Sequence, residues 1–384
     1  MKQATCRAAP RGAAVLLSIA ALAVGCCAVR GDGGAAVGPA GGNGAEVLVL
    51  GSGGLVGRTL VKWLEERDVI VHHVRNRRHI DLRIPGALDV FNATNLSYVF
   101  FLACEVGGSK FIENSARDLQ IGIIESNIRM YQVVFPWLAA RKIPFVFTSS
   151  YLQGTANPYG VIKRLGEQWI HNLGAEEAGL GRTLRLWNVY GAENVGLKSH
   201  VLSDWSEQCV RQGYATARTD GREERQFIHA IDVAAALGAA MLHHASLPLE
   251  SDVSTGIWND MHVLAGDLLD ASKDALGAPC EVRFSSAPAG YRERLSPVFE
   301  GHLHRVWKTN ITLKMGCKLL LEEYKMRQEV CQRRAAGAAK EVGLGGQEDA
   351  REGGGGASSS AIAFPEIDCG EEVKGKDQDA RSEL

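Results

Sequence analysis

The chain has no basic excess. Its 384 residues carry 42 Lys and Arg against 44 Asp and Glu, a net charge of −2. Nucleic-acid surfaces are built on concentrated positive charge, so no nucleic-acid partner is expected. Metal-ligand spacings are missing too. Nine cysteines show no repeated pair spacing, which argues against a zinc module and against a small disulfide scaffold. Eleven histidines include no H-E-x-x-H or similar run, so no metal is expected. The composition also excludes a multi-span membrane protein. With 46% hydrophobic and 22% charged residues, the 44 glycines do not make the chain collagen-like or disordered throughout.

The glycines are unevenly placed, and their distribution outlines the domains. Lys2, Arg7 and Arg11 precede an uncharged stretch from Gly12 to Val29, closed by Arg30. A basic region followed by an Ala/Leu/Val run reads as a signal peptide or a single N-terminal membrane anchor, and Ala21-Leu22-Ala23 suits a signal peptidase. A plastid or mitochondrial transit segment and a misassigned start are the alternatives. The expected location is accordingly the secretory pathway (ER or Golgi lumen) or an organelle, and the cytoplasm if the segment is not functional. Gly31 to Gly44 then forms a Gly/Ala linker, so residues 1–45 are not domain material. At the other end, residues 335–384 run through Gly353–Gly356 and Ser358–Ser360 and read as a disordered, acidic, Gly-rich tail.

Between these ends strands and helices alternate. Apolar strands are expected at Glu46–Leu50, Val69–Val74, Tyr98–Ala103, Ile143–Thr148 and Thr183–Trp187. Helical periodicity appears at Leu55–Glu66, Ile121–Ala140 and Pro158–Leu173. This order predicts an α/β fold with a doubly wound parallel Rossmann sheet over 46–192. A smaller C-terminal substrate-binding lobe is expected over most of 193–332, with helices near 200–212, 231–244 and 262–276. Cys280 to Gln332 is too irregular to assign contacts.

Gly51-Ser-Gly-Gly54-Leu55-Val56-Gly57 sits between the first strand and the first helix. Glycines there permit a tight turn and close approach of a pyrophosphate, while the helix start offers free N–H groups and a positive dipole end. The strand–loop–helix context is the one a dinucleotide site requires. An acid that would hold the adenine ribose of NAD is missing where the second strand ends, in Val74-Arg75-Asn76-Arg77-Arg78. A guanidinium such as that of Arg77 can instead pair with a 2′-phosphate, which favours NADP slightly over NAD. A solvated turn is the alternative reading of these arginines. Further on, Tyr159 and Lys163 stand four apart on one helical face, and an ammonium beside a phenol favours phenolate. Ser149 and Ser150 end an apolar strand, where open parallel sheets place their ligands. A serine hydroxyl there can bond the oxygen that Tyr159 deprotonates. Cys104 reads as an inert apolar residue closing a buried strand.

These motifs in this order resemble the extended short-chain dehydrogenase/reductases of the NAD-dependent epimerase/dehydratase family. The likeness covers about Glu46 to Leu276, more weakly to about Gln332. It rests on the glycine loop, Phe101-Leu102-Ala103, Asn127, Ser150, Tyr159, Lys163, Arg185-Leu-Trp-Asn188-Val-Tyr-Gly191 and Arg225-Gln-Phe-Ile-His229-Ala-Ile-Asp232. The resemblance implies a catalytic Ser150, Tyr159 and Lys163, with Tyr159 and Lys163 also touching the cofactor. It implies cofactor contacts at Gly51, Gly54, Leu55, Val56, Gly57, Leu102, Ala103 and Asn127, with Asp81 as the adenine-contacting acid. Asn188 and Arg225 match positions that hold the diphosphate of a nucleotide sugar. The family often dimerises through its long helices, which points to a homodimer built on Ile121–Ala140 and Pro158–Leu173.

Absences also discriminate within the family. Sugar dehydratases carry Asp-Glu just after the serine and decarboxylases a Glu. Here Tyr151 and Leu152 supply no carboxylic acid, so epimerase or simple oxidoreductase chemistry is left. Val106-Gly-Gly108, Ile124-Glu-Ser-Asn127 and Ser199-His200-Val201 resemble the GDP-L-fucose synthase family. That likeness implies His200 as proton donor in epimerisation and as a substrate contact. The cysteine that family carries two residues after the serine is replaced by Leu152, and only nine positions separate Ser150 from Tyr159. The expected function is an NAD(P)-dependent nucleotide-sugar epimerase. The alternatives are an NADP-dependent keto-sugar reductase and a non-catalytic dinucleotide sensor.

Overall fold

The computed structural model describes residues 44–112, 116–173, 179–289 and 302–343. The N-terminal segment and linker lie almost wholly outside these residues, as does the tail beyond 343. The chain begins with β1 (Glu46–Leu50), α1 (Leu55–Glu65), β2 (Ile70–Val74), β3 (Tyr98–Phe101), α2 (Ser109–Ile112) and α3 (Arg117–Arg141). It continues through β4 (Phe145–Ser150), α4 (Pro158–His171), β5 (Gly181–Leu186), β6 (Asn188–Tyr190), α5 (Val201–Gln212), β7 (Tyr214–Thr216), β8 (Glu224–Arg225) and β9 (Phe227–His229). There follow α6 (Ala230–Leu242), β10 (Glu250–Val253), β11 (Asn259–Asp260), α7 (Met261–Leu276), β12 (Glu281–Arg283), α8 (Leu303–Val306) and α9 (Leu313–Gly343).

The main sheet is parallel throughout, in the order β10-β5-β4-β3-β1-β2. A parallel sheet must be covered on both faces, and the strand residues show how. Val47 and Val49 of β1, with Tyr98 and Phe100 of β3, face a core shared with α1 and α6. Leu48, Leu50, Val99 and Phe101 point the other way, into a core shared with α3 and α4. That second core contains an aromatic cluster in which Phe101, Tyr131, Phe135 and Phe147 meet edge-on or tilted, at ring separations of 5.3–5.9 Å. Fully burying such a side chain stabilises by about 1.5–3 kcal/mol, so these rings dominate the packing on that face.

A third core joins α5, α7 and α9 around Trp205, Leu264 and Leu320, and it makes the smaller lobe. A disulfide between Cys209 of α5 and Cys280, 71 residues away, staples this lobe. Within residues 193–332, β10 returns to the main sheet beside β5, and α6 packs on the same core as α1. The lobe is therefore assembled from pieces on either side of that return. The expected start of the tail is corrected: residues 335–343 continue α9. Alanine is the strongest helix former, so the Ala-rich run that reads as low complexity extends a helix already packed in the lobe.

Candidate active site

The loop after β1 is made by backbone alone. Gly51 has φ +92°, and its N–H and that of Ser52 both donate to the Val74 carbonyl of β2, at 2.8 and 3.0 Å. A Cβ on Gly57 would lie 2.1 Å from the Gly51 carbonyl oxygen, and one on Gly51 would lie 2.7 Å from the Ala103 nitrogen. The sequence thus folds the loop onto the start of α1 and onto the chain just beyond β3. Gly54 caps α1 without a side chain, and the first turn holds no acid. The N–H groups of Leu55, Val56 and Gly57 begin the helix and have no intrahelical acceptors. This cradle fits a dinucleotide pyrophosphate: free N–H groups stand together at the helix start, Gly51, Gly53, Gly54 and Gly57 carry no Cβ, and the first turn carries no carboxylate.

The end of β4 carries the reacting groups. Ser150 caps a short 3₁₀ turn, its Oγ accepting from the Leu152 N–H at 3.2 Å. One compact turn then reaches Asn157, which caps α4 through the Gly160 N–H at 2.9 Å, with Pro158 in the first helical position. This is how nine positions suffice to bring Tyr159 back over Ser150. Lys163 is buried, 2% exposed, and its Nζ donates to the Thr148 carbonyl at 2.6 Å. The ammonium lies 5.6 Å from the Tyr159 ring centre and 4.9 Å from that of Phe147. One expectation needs correction. Burial pushes the Tyr159 phenol above its ordinary value, the Cys104 thiol adds to the rise, and the Ser150 hydrogen bond opposes it. Lys163 directs its ammonium to a carbonyl here, so phenolate formation depends on what else enters the site.

Cys104, expected to close the strand, stands three positions past the last residue of β3. It is partly buried and lies against Lys163 and Tyr159. Burial raises its thiol, with Lys163 pulling the other way. Nearby, Asn127 is fully buried, and its amide is spent: Oδ1 accepts from the Glu105 N–H at 3.0 Å, and Nδ2 donates to the Glu105 and Ile123 carbonyls. Arg77 is ion-paired with Glu105, and Asp81 with Arg83, whose Nε and Nη2 reach its two oxygens at 2.9 and 2.6 Å. The Arg83 hydrogen bond holds the Asp81 carboxyl below the usual range. In this structure these three side chains are thus engaged within the protein. For Arg77, read from the sequence as a partner for a 2′-phosphate or part of a solvated turn, the structure adds Glu105 as an internal partner.

On the substrate side, Asn188 and Arg225 converge on Tyr151. The Tyr151 hydroxyl donates to Asn188 Oδ1 at 3.2 Å, and Arg225 opposes the burial that raises this phenol. The Arg225 guanidinium bonds the Glu224 carbonyl at 2.8 Å. Tyr151 stacks on Trp187 at 4.8 Å, and Trp258 meets Trp187 edge-on. His200 caps α5. Its loop packs on Gly108, where a Cβ would sit 2.3 Å from the Ser199 carbonyl oxygen. Glu105 also pairs with Lys198. Asn127 holds the Glu105 backbone, Lys198 pairs with the Glu105 carboxylate, and Gly108 lies against Ser199, so segments far apart in sequence meet beside Glu105.

The profile of the NAD-dependent epimerase/dehydratase family matches residues 47–256, more than half of the chain. The chain belongs to that family. No curated protein matches it at a significant level. Among solved structures it is similar to the UDP-glucose 4-epimerase of Thermotoga maritima, with UDP-glucose, at 22% identity and a TM-score of 0.61. Those alignments cover 74% of this chain and 99% of that one. The RMD protein of Pseudomonas aeruginosa, complexed with NADPH, is 21% identical over 74% of this chain and 99% of its own, with a TM-score of 0.59. A GDP-6-OMe-4-keto-L-xylo-heptose reductase of C. jejuni is 19% identical over the same shares, with a TM-score of 0.61.

For this epimerase/dehydratase-family chain, sequence reading missed Glu105, Glu193 and the closeness of Cys104 to Lys163 and Tyr159. Glu105 stands within Cys104-Glu-Val-Gly-Gly, and its charge in an otherwise apolar run was an available signal. Nothing in the sequence announces its partners, which lie 28 and 93 positions away.

Proposed function

We propose that the protein is an NAD(P)-dependent nucleotide-sugar epimerase. One observation carries the reading: Ser150, Tyr159 and the buried Lys163 gather at the C-terminal end of β4, in one site with the glycine cradle after β1. The cradle at Gly51, Gly54 and Gly57, with the N–H groups of Leu55 and Val56, would hold the pyrophosphate, and Leu102 and Ala103 would line the dinucleotide beside it. When bound, the dinucleotide accepts a hydride from a sugar carbon and returns it. Tyr159 takes the proton of the hydroxyl on that carbon, Ser150 holds the same oxygen, and Lys163 supports the phenolate electrostatically. Asn188 and Arg225 bind the diphosphate, for which a guanidinium fork is suited. Where the carbon next to the resulting carbonyl has lost its own proton to solvent and left an enolate, His200 returns a proton to that carbon. Because the hydride returns, the cofactor is recycled.

A keto-sugar reductase is the second reading, favoured by the basic end of β2 at Arg75, Arg77 and Arg78, where no acid stands. The test is Tyr159→Phe with UDP- and GDP-sugars, following sugar configuration by NMR and nicotinamide absorbance together. A drop in turnover of about 100-fold or more supports the acid–base role. Configuration change without net nicotinamide oxidation identifies the epimerase, and stoichiometric NADPH oxidation the reductase. Unchanged turnover in Tyr159→Phe would remove the catalytic reading. We also propose a homodimer through α3 and α4, where Ile121 and Leu165 are exposed. A luminal setting is favoured by the Cys209–Cys280 disulfide, a bond that persists in oxidising compartments.

A further inference from the structure

We infer that Glu193 is a positioning residue for His200: its carboxylate fixes which ring nitrogen carries the proton and so turns the other into the working atom. The inference rests, for its catalytic consequence, on the reading of His200 as a proton donor. Its structural part stands alone. Glu193 Oε1 lies 2.9 Å from His200 Nδ1, Oε2 lies 3.2 Å away, and Oε1 also accepts the His200 backbone N–H at 2.6 Å. An ionised carboxylate only accepts hydrogen bonds, so Nδ1 must donate and Nε2 is left bare.

Three further observations show that the pair is built. Burial would raise the Glu193 carboxyl, but the hydrogen bonds and charge of His200 outweigh it and hold it below its ordinary value. Glu193 is the more buried partner, its side chain 14% exposed against 37% for His200, so the carboxylate backs the ring and the ring faces outward. The Glu193 backbone is clamped from the far side by α9: the Tyr324 hydroxyl donates to its carbonyl at 2.8 Å, and Arg327 Nη1 does so at 3.2 Å. Arg327 is in turn held by Glu323 at 2.9 Å. From α1, the positively charged Arg58 also faces Glu193. The Glu193 backbone is thus anchored to α9, and its carboxylate feels a positive charge from α1.

A carboxylate behind an imidazole orients the ring and stabilises its protonated form during transfer. It matters here because Leu152 leaves the turn after Ser150 without an acid or base. With Nδ1–H held by Glu193, the bare Nε2 takes up the proton that the imidazolium then donates, and rotation of the His200 ring, or a proton fixed on Nε2 with Nδ1 bare, would break that relay.

The test uses nitrogen-15-labelled full-length protein at mildly alkaline pH, where a free imidazole is neutral. The His200 ring signals are assigned by their loss in His200→Asn. The expected result is a protonated Nδ1 and a bare Nε2. Glu193→Gln, whose amide can pair with either tautomer, should give a mixture. It should also lower deuterium uptake from solvent into the sugar about 10-fold or more, with KM and melting temperature near wild type. A wild-type ring protonated on Nε2 overturns the inference, as does a Glu193→Gln spectrum identical to wild type. The wild-type tautomer decides even where Glu193→Gln fails to fold. Full turnover in His200→Asn would instead sink the proton-donor reading and leave the pair to be judged by its spectrum.

Discussion

The loops after β1 and after β3 leave the same sheet edge, yet they are held in opposite ways. The first is held by backbone: Gly51 and Ser52 bond the Val74 carbonyl, and Gly57 lies against Gly51 with no room for a side chain. The second is held by side chains from elsewhere: Asn127 on the Glu105 backbone, and Arg77 and Lys198 on its carboxylate. A backbone cradle suits a cofactor part that does not vary, because main-chain N–H groups have fixed charge and no alternative rotamers. A side-chain network can be retuned one residue at a time, and it lies where a substrate-specific rim belongs.

Four measurements sharpen or break this contrast. The largest effect is expected from Gly57→Ala, which forces a methyl to 2.1 Å from a carbonyl oxygen. A cost above about 3 kcal/mol and loss of dinucleotide-induced thermal stabilisation are expected. Gly54→Ala meets nothing nearer than 3.5 Å and should cost under about 1 kcal/mol. If the two variants melt alike, the cradle is not sterically set.

Reduction of Cys209–Cys280 comes next. Loss of such a cross-link removes about 2–4 kcal/mol. Hydrogen exchange should quicken in α5 and α7 while β1 and α1 stay protected. Uniform loss of protection would show that the lobe and the sheet unfold as one.

Acid should act behind the glycine loop, which carries no titratable side chain itself. His229 and His244 flank α6, the helix packed on the same core as α1, and burial holds both at about 4, below their ordinary 6.5. His229 Nδ1 accepts the Ile231 N–H as the α6 cap, and His244 lies between the Tyr98 hydroxyl and the Gly179 carbonyl. Their folded-state pKa values are depressed, so between about 6.5 and 4 the unfolded chain binds more protons. Stability is full above pH 6.5 and is lost as pH falls, by roughly 2 kcal/mol per histidine at pH 5. His244→Gln should flatten the decline in melting temperature. A decline unchanged in that variant would assign the acid sensitivity elsewhere.

The smallest effect is expected from Glu105→Gln. It releases the half-exposed Arg77 and should strengthen NADPH binding up to about fivefold, with NADH unchanged, since exposed pairs are worth about 1 kcal/mol or less. Equal shifts for both dinucleotides would remove Arg77 from 2′-phosphate recognition.

By itself the sequence determined the doubly wound sheet, because alternating apolar strands and amphipathic helices have few ways to bury both faces. It also determined the glycine cradle, because a missing Cβ is local information that needs no partner. The Tyr159–Lys163 spacing was equally legible, being one helical turn. Only the tertiary structure decided where charge resides: Arg77 and Asp81 are paired, Asn127 is spent on backbone, and Lys163 points to a carbonyl. It alone brought Cys104 to Tyr159 and Glu193 to His200, and it alone closed Cys209 onto Cys280. Such pairings depend on three-dimensional distance between residues with no fixed separation in the chain. They also depend on burial, which sets the strength and direction of each electrostatic effect only once the surroundings are packed.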